Sequence, residues 1–105
     1  MVKKLFISQP MRGLTQDEIE MQRCNAVDEI KTKEFGDSIV VIDSIIKDAP
    51  EDATPLWYLG RSIQLLGEAD IACFIGNWKE YRGCRVEHKI AEEYDIPIYD
   101  FSNIK

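Results

Sequence analysis

The sequence predicts a three-layer α/β domain, a four-stranded parallel sheet with helices on both faces. Two observations carry this. Short apolar runs rich in β-branched and aromatic residues alternate strictly with amphipathic stretches at helical spacing, in the order βαβαβαβ. The chain has 105 residues, 45% hydrophobic and 30% charged, which suffices for one core and not for two. Strict alternation implies parallel strands joined by right-handed crossovers. With so few strands the expected order is 2-1-3-4, which puts the topological switch point, where ligands bind, beyond the carboxyl ends of the first and third strands.

Each element has its own signal. Lys3 to Ser8 is a short apolar run that stops at Gln9-Pro10 and reads as a buried first strand. Thr15-Gln16-Asp17-Glu18 has the capping-box pattern, in which Thr15 and Glu18 each satisfy one orphan amide at a helix start. Ile19, Ala26, Val27 and Ile30 then fall on one stripe, Lys31 and Lys33 complement the last turn, and Phe35-Gly36 stops the helix. Ser38 to Asp43 is continuous and β-branched, as expected of a second strand covered on both faces. After an acidic loop, Thr54-Pro55 provides an N-cap followed by proline at the first helical position, and Leu56, Leu59, Ile63 and Leu66 form the inward face of a second helix ending at Gly67. Asp70 to Ile75 reads as the third strand, Cys84 to Tyr94 as a third helix with Val86, Ile90 and Ala91 inward, and Ile96 to Tyr99 as the fourth strand.

Composition narrows the function classes. The formal charge of −6 disfavours nucleic-acid polymers and anionic membranes as partners, and a phosphate-bearing ligand requires a local concentration of basic groups. Three cysteines without a C-x-x-C pair argue against a disulfide framework or a zinc site. No signal peptide or membrane helix is expected, and the expected setting is reducing and cytoplasmic, with no cofactor and no metal.

The switch point selects two unusual segments. Ser8-Gln9-Pro10-Met11-Arg12-Gly13 offers a hydroxyl, an amide, a guanidinium and a glycine ahead of a helix N-terminus that favours anions. The segment from Gly76 to Lys89 carries Lys79, Arg82, Arg85, His88 and Lys89 in an otherwise acidic chain. The ordinary reading of such a cluster is a solvated loop and helix face. Within it, Gly83-x-x-x-Glu87 is expected to place a carboxylate in the first turn of the third helix. That carboxylate either complements the helix dipole or faces the crevice, where it can attack an anomeric carbon or stabilise an oxocarbenium-like transition state. Cys84, flanked by Arg82 and Arg85, is a further nucleophile candidate if its pKa is depressed. Trp57 is expected in the core, Trp78 and Tyr81 as lid or base-stacking residues, and His88 at the surface or a phosphate rim.

Phe6 to Gly13, Ala69 to Ile75 and Gly83 to Ala91, in this order and spacing, resemble the nucleoside 2-deoxyribosyltransferase-like superfamily, in particular its small bacterial and phage members. The Met11-Arg12-Gly13 step looks like the phosphate-side loop of the 2′-deoxynucleoside 5′-monophosphate N-glycosidases, and Glu87 falls where that superfamily keeps its catalytic glutamate. The resemblance implies a flavodoxin-like fold and cleavage of an N-glycosidic bond with Glu87 as nucleophile, the sugar passing to water or to another base. It further implies Arg12 and the Gly13 amide on a 5′-phosphate, Ser8 and Gln9 along the sugar or base, and Gly83 allowing close approach of the sugar. Homodimers or larger assemblies are also implied, with a neighbour's Asp100 to Asn103 closing the pocket. One departure stands out: Asn77 occupies the position just beyond the third strand where active members commonly have an acid, and Asp43 is the nearest expected substitute. The alternative expectation is a non-catalytic binder of a nucleotide or nucleotide-derived signal.

Overall fold

The computed structural model describes residues 1–44 and 46–102. The elements are β1 (Val2–Ser8), α1 (Gln16–Lys33), β2 (Ser38–Val41), α2 (Pro55–Leu66), β3 (Ile71–Ile75), a 3₁₀ turn (Trp78–Glu80), α3 (Arg82–Glu93) and β4 (Ile98–Phe101). All strands are parallel, in the order β2-β1-β3-β4. The predicted architecture and strand order are those observed.

The pleat of the central strands divides the core in two. Leu5 and Ile7 of β1 and Ile71, Cys73 and Ile75 of β3 face α1, where Ala26 and Ile30 close the layer. Their neighbours Phe6, Ala72 and Phe74 face the other way, toward Leu66 of α2 and Cys84 and Ala91 of α3. Alternation therefore turns Ser8, two residues after Phe6, toward α2 and α3. One strand residue thus fixes which face carries the polar site.

Local chemistry sets the ends. Thr15 Oγ1 accepts from Glu18 N at 3.1 Å, and Glu18 Oε1 accepts from Thr15 N at 3.0 Å, completing the capping box. Thr54 caps α2 in the same way through Trp57 N, with Pro55 at the first position. Gly76, at φ +66°, turns the chain off the end of β3.

Several details differ from the sequence expectation. β2 ends at Val41 and is an edge strand, not covered on both faces: Val40 and Val41 are 51% and 40% exposed while Ile39 alone packs against the α1 layer. β4 begins two residues later than expected, at Ile98. Asp95, at φ +59°, closes α3 in a Schellman arrangement in which Ile96 N donates to Ala91 O and Asp95 N to Glu92 O, so Ile96 belongs to the helix stop. Leu56 is 75% exposed, because only the carboxyl half of α2 lies on the sheet, and Trp57 is half-buried, edge-on to Tyr58. Trp78 to Glu80 forms a 3₁₀ turn. Among the described residues no helix is long and apolar enough to cross a membrane.

The capping box predicts that Thr15→Ala destabilises the fold by about 1 kcal/mol, and that Thr15→Ser is close to neutral. Urea unfolding followed by circular dichroism checks this, and an unchanged midpoint in Thr15→Ala would refute it.

Candidate functional site

Glu87 is buried because of its position on α3. Cys84, Glu87 and Ala91 recur at three- and four-residue spacing and form the buried stripe of that helix. Since α3 begins at Arg82, two residues earlier than the sequence suggested, Glu87 lies beyond the first turn, which contains no acid. Dipole complementation therefore does not explain it. The carboxylate is only 6% exposed.

Two hydroxyls hold it. Ser8 Oγ at the end of β1 donates to Oε1 at 2.8 Å, and Ser62 Oγ of α2 donates to Oε2 at 2.5 Å. Burial raises the affinity of Glu87 for a proton, opposed by the hydrogen bonds from Ser62 and Ser8, and the net direction is upward. No Lys, Arg or His among the described residues forms an ion pair with it. The result is an oriented carboxylate in a poorly solvated setting, a state suited to reacting with or pairing to developing positive charge.

Glu87 opens onto a pocket of about 370 Å³ lined by Ile46, Pro55, Tyr58, Leu59 and Gly83 together with Ser62. It adjoins a second space of about 580 Å³ that shares Pro55, Leu59 and Gly83 and extends past Thr54, Leu56 and Val86 to Arg82. Each falls within the usual range for small-ligand sites. Gly83 has open space where a Cβ would stand, on the wall common to both. A larger concavity of about 810 Å³ lies between α1 and β4. It contains no buried titratable group, so the Glu87 cleft is the better candidate.

The cleft lies between α2 and α3, and the crevice expected between the Ser8 to Gly13 loop and the Gly83 to Glu87 turn is joined only through Ser8. Gln9 turns to the opposite face, its Nε2 donating to Ile19 O and Gln22 Oε1. Met11, Arg12 and Gly13 form an exposed loop, with Gly13 at φ +81°, and none of them lines the cleft. Arg82 and Gly83 do line it. The Arg85 guanidinium donates to Lys79 O at 2.8 Å and braces the 3₁₀ turn. Asn77 Nδ2 donates to Glu80 Oε2 at 2.7 Å. Asp43 is exposed and does not line the Glu87 pocket.

Trp78 does not form a lid. It is 5% exposed, stacked on His88 at 4.3 Å between centroids, and donates through Nε1 to Asp100 Oδ1. Its ring faces are committed to the core beside Phe74, and His88 accordingly packs there and not on a phosphate rim. Tyr81 packs half-buried on the same cluster. Cys84 is 8% exposed and burial pushes its thiol pKa up, opposite to the depression that a nucleophile needs. Asp100, expected to close a neighbour's pocket, binds Trp78 of its own chain, and Asn103 lies outside the described residues.

Among these lining residues, Ser62, Tyr58 and Ile46 have no place in the sequence reading, and Pro55 and Leu59 enter it only as a helix start and an inward core position. Ser62 left a signal: it sits three residues after Leu59 and four before Leu66, a hydroxyl on an otherwise apolar inward stripe.

A family model described as a domain of unknown function, DUF4406, matches residues 3–100. The chain belongs to that family. The matched span contains β1 to α3 almost entire and most of β4, so Ser8, Ser62 and Glu87 all lie within the family domain. No curated protein sequence matches the chain. A crystal structure of a conserved protein from Enterococcus faecalis V583 is similar in fold, with a TM-score of 0.65 at 14% identity over 95% of this chain. This DUF4406 chain spans 63% of that protein's length.

The direction of the Glu87 shift has a consequence for stability. Below pH 4.5, the ordinary value for this group, Glu87 is protonated in both folded and unfolded chains. Above it, the folded chain retains the proton longer, so the stabilisation associated with the neutral carboxyl is lost as pH rises through the raised folded value. Glu87→Gln lacks this loss. Its stability relative to the parent is therefore expected to be greater at pH 7.5 than at pH 4, as measured by urea unfolding at both. A difference independent of pH, or of opposite sign, would refute the raised value.

Proposed function

We propose that the chain cleaves the N-glycosidic bond of a nucleoside or nucleoside 5′-monophosphate, with Glu87 as the nucleophile. The observation that carries this reading is a buried carboxylate held through both oxygens by Ser8 and Ser62 at the wall of a small cleft. A Glu87 oxygen attacks the anomeric carbon, the bond to the base breaks with its electron pair passing to the ring nitrogen, and a glycosyl ester forms. Water or a second base then takes the sugar from Glu87. Gly83 leaves room for the sugar to approach, and Arg82, on the outer compartment, is better placed than Arg12 to meet a 5′-phosphate. A cytoplasmic setting and assembly of two or more copies belong to this reading through the resemblance to the deoxyribosyltransferase-like superfamily.

Asn77, Asp43 and the lining of the Glu87 pocket favour a second reading, a non-catalytic nucleotide binder. The pocket contains no carboxylate besides Glu87 among the described residues, and Asn77 is engaged by Glu80. Chromatography for released base over a panel of nucleosides and nucleoside monophosphates separates the two. Binding without release would favour the second.

For the first reading, Glu87→Gln is expected to lower base release by at least about a thousandfold. Ser62→Ala is expected to lower it by roughly 10- to 150-fold, the loss of one hydrogen bond to a charged group. The same substitution is expected to move the acid limb of the pH profile to higher pH, because Ser62 favours the ionised carboxylate. Release unaffected by Glu87→Gln would overturn the assignment.

A further inference from the structure

We propose that the Glu87 pocket selects a positively charged N-glycoside, one whose heterocycle carries a fixed positive charge at the glycosylated nitrogen, as a pyridinium nucleoside does. This rests on the glycosidic reading of Glu87 given above and names its substrate class. Two features of the pocket favour such a substrate.

The first is the leaving group. A neutral purine or pyrimidine departs as an anion unless something protonates it, and enzymes that cleave such bonds supply a general acid. Among the described residues lining the Glu87 pocket, the only groups with exchangeable side-chain protons besides Glu87 are the hydroxyls of Ser62 and Tyr58. Hydroxyls are weak acids beside a carboxyl or imidazolium. Ser62 already donates its proton to Glu87. Asn77 is no acid, and its amide is held by Glu80 on an exposed turn. A cationic heterocycle needs no proton: when the C1′–N bond breaks, its electron pair neutralises the ring and the base leaves as a neutral molecule. Glu87 forms the new C1′–O bond, and water then cleaves that ester, giving the free sugar and one proton to solvent.

The second feature is charge. Ser8 and Ser62 occupy Glu87 with hydrogen bonds but bring no positive charge, and the ion pairs present among the described residues do not include it. An ionised carboxylate that is itself 6% exposed and has no counter-charge is unfavourable, and a bound cation is the partner that relieves it. Arg82 lines the adjoining compartment and not the Glu87 pocket, and it remains available to a phosphate.

Nicotinamide riboside and its 5′-monophosphate serve as cationic probes, and adenosine, uridine, their deoxy forms and their 5′-monophosphates as neutral ones. The full chain is expected to release nicotinamide with kcat/KM at least 100-fold above release from any neutral probe, and Glu87→Gln is expected to abolish it. Release from neutral nucleosides at comparable or greater rates would overturn this proposal while leaving Glu87 as a glycosidic nucleophile. Calorimetry with 1-methylnicotinamide, a cation with no sugar to cleave, against neutral nicotinamide tests the charge preference without chemistry. The parent is expected to favour the cation at least tenfold and Glu87→Gln to lose that preference. Release from no probe would overturn the glycosidic reading and this one as a substrate assignment, and absence of a cation preference in the parent would overturn the charge argument on the wild-type chain alone.

Discussion

A carboxylate placed in a core must be satisfied at both oxygens, and here the two donors come from different elements. Ser8 is the last residue of β1 and Ser62 lies in the second half of α2, while Glu87 itself belongs to α3. The node therefore ties a central strand to both helices on one face. Each hydroxyl has a geometric demand behind it: Ser8 must fall on the Phe6 side of the pleat, and Ser62 on the α2 stripe that contains Leu66. A one-residue slip of β1 would turn Ser8 toward α1 and strand the carboxylate. Hydrogen bonds without a counter-charge leave much of the desolvation cost in place. A neutral residue would suit the fold better, and that cost is the physical ground for treating the arrangement as a candidate site.

Topology gives that node its surroundings. The order β2-β1-β3-β4 sends the chain one way from β1 and the other way afterward, so α1 alone covers one face while α2 and α3 lie together on the other. Only on the second face can two helix flanks form a cleft over the carboxyl end of β1. α2 departs from the sheet at its amino half, leaving Leu56 exposed and Pro55 and Leu59 as cleft wall. The exposed leucine that breaks the predicted inward stripe is thus a consequence of the opening that the site requires.

Much of this was legible in the sequence, for identifiable reasons. The capping box at Thr15, the Thr54-Pro55 start and the β-branched runs are local signals whose energetics do not depend on distant residues. Glu87 was legible as a residue, but its place beyond the first turn depended on the start of α3, which lies at Arg82, directly after the 3₁₀ turn. Trp78 was misplaced because sequence position alone does not distinguish a loop aromatic that covers a ligand from one that turns inward to meet Phe74, His88 and Asp100. Ser62 was missed because one hydroxyl in an apolar stripe is informative only once the carboxylate it faces is known.

The basic cluster shows the same limit in electrostatic form. In sequence, Lys79, Arg82, Arg85, His88 and Lys89 read as a local positive field, yet the structure distributes them among separate partners. Lys79 lies over the Trp78 ring, Arg85 braces Lys79 O, His88 meets Glu92 and Lys89 meets Glu93. Of the five, Arg82 alone lines the cleft compartments, on the outer one. Beside Glu87 the groups in contact are two neutral hydroxyls, so no positive charge there offsets the carboxylate. A helix presents successive residues about 100° apart, so charges adjacent in sequence need not act on the same point. What a pocket attracts follows from the few groups that face it, and it is on those groups, Glu87 with its two hydroxyls and Arg82 on the outer compartment, that the proposed preference for a cation rests.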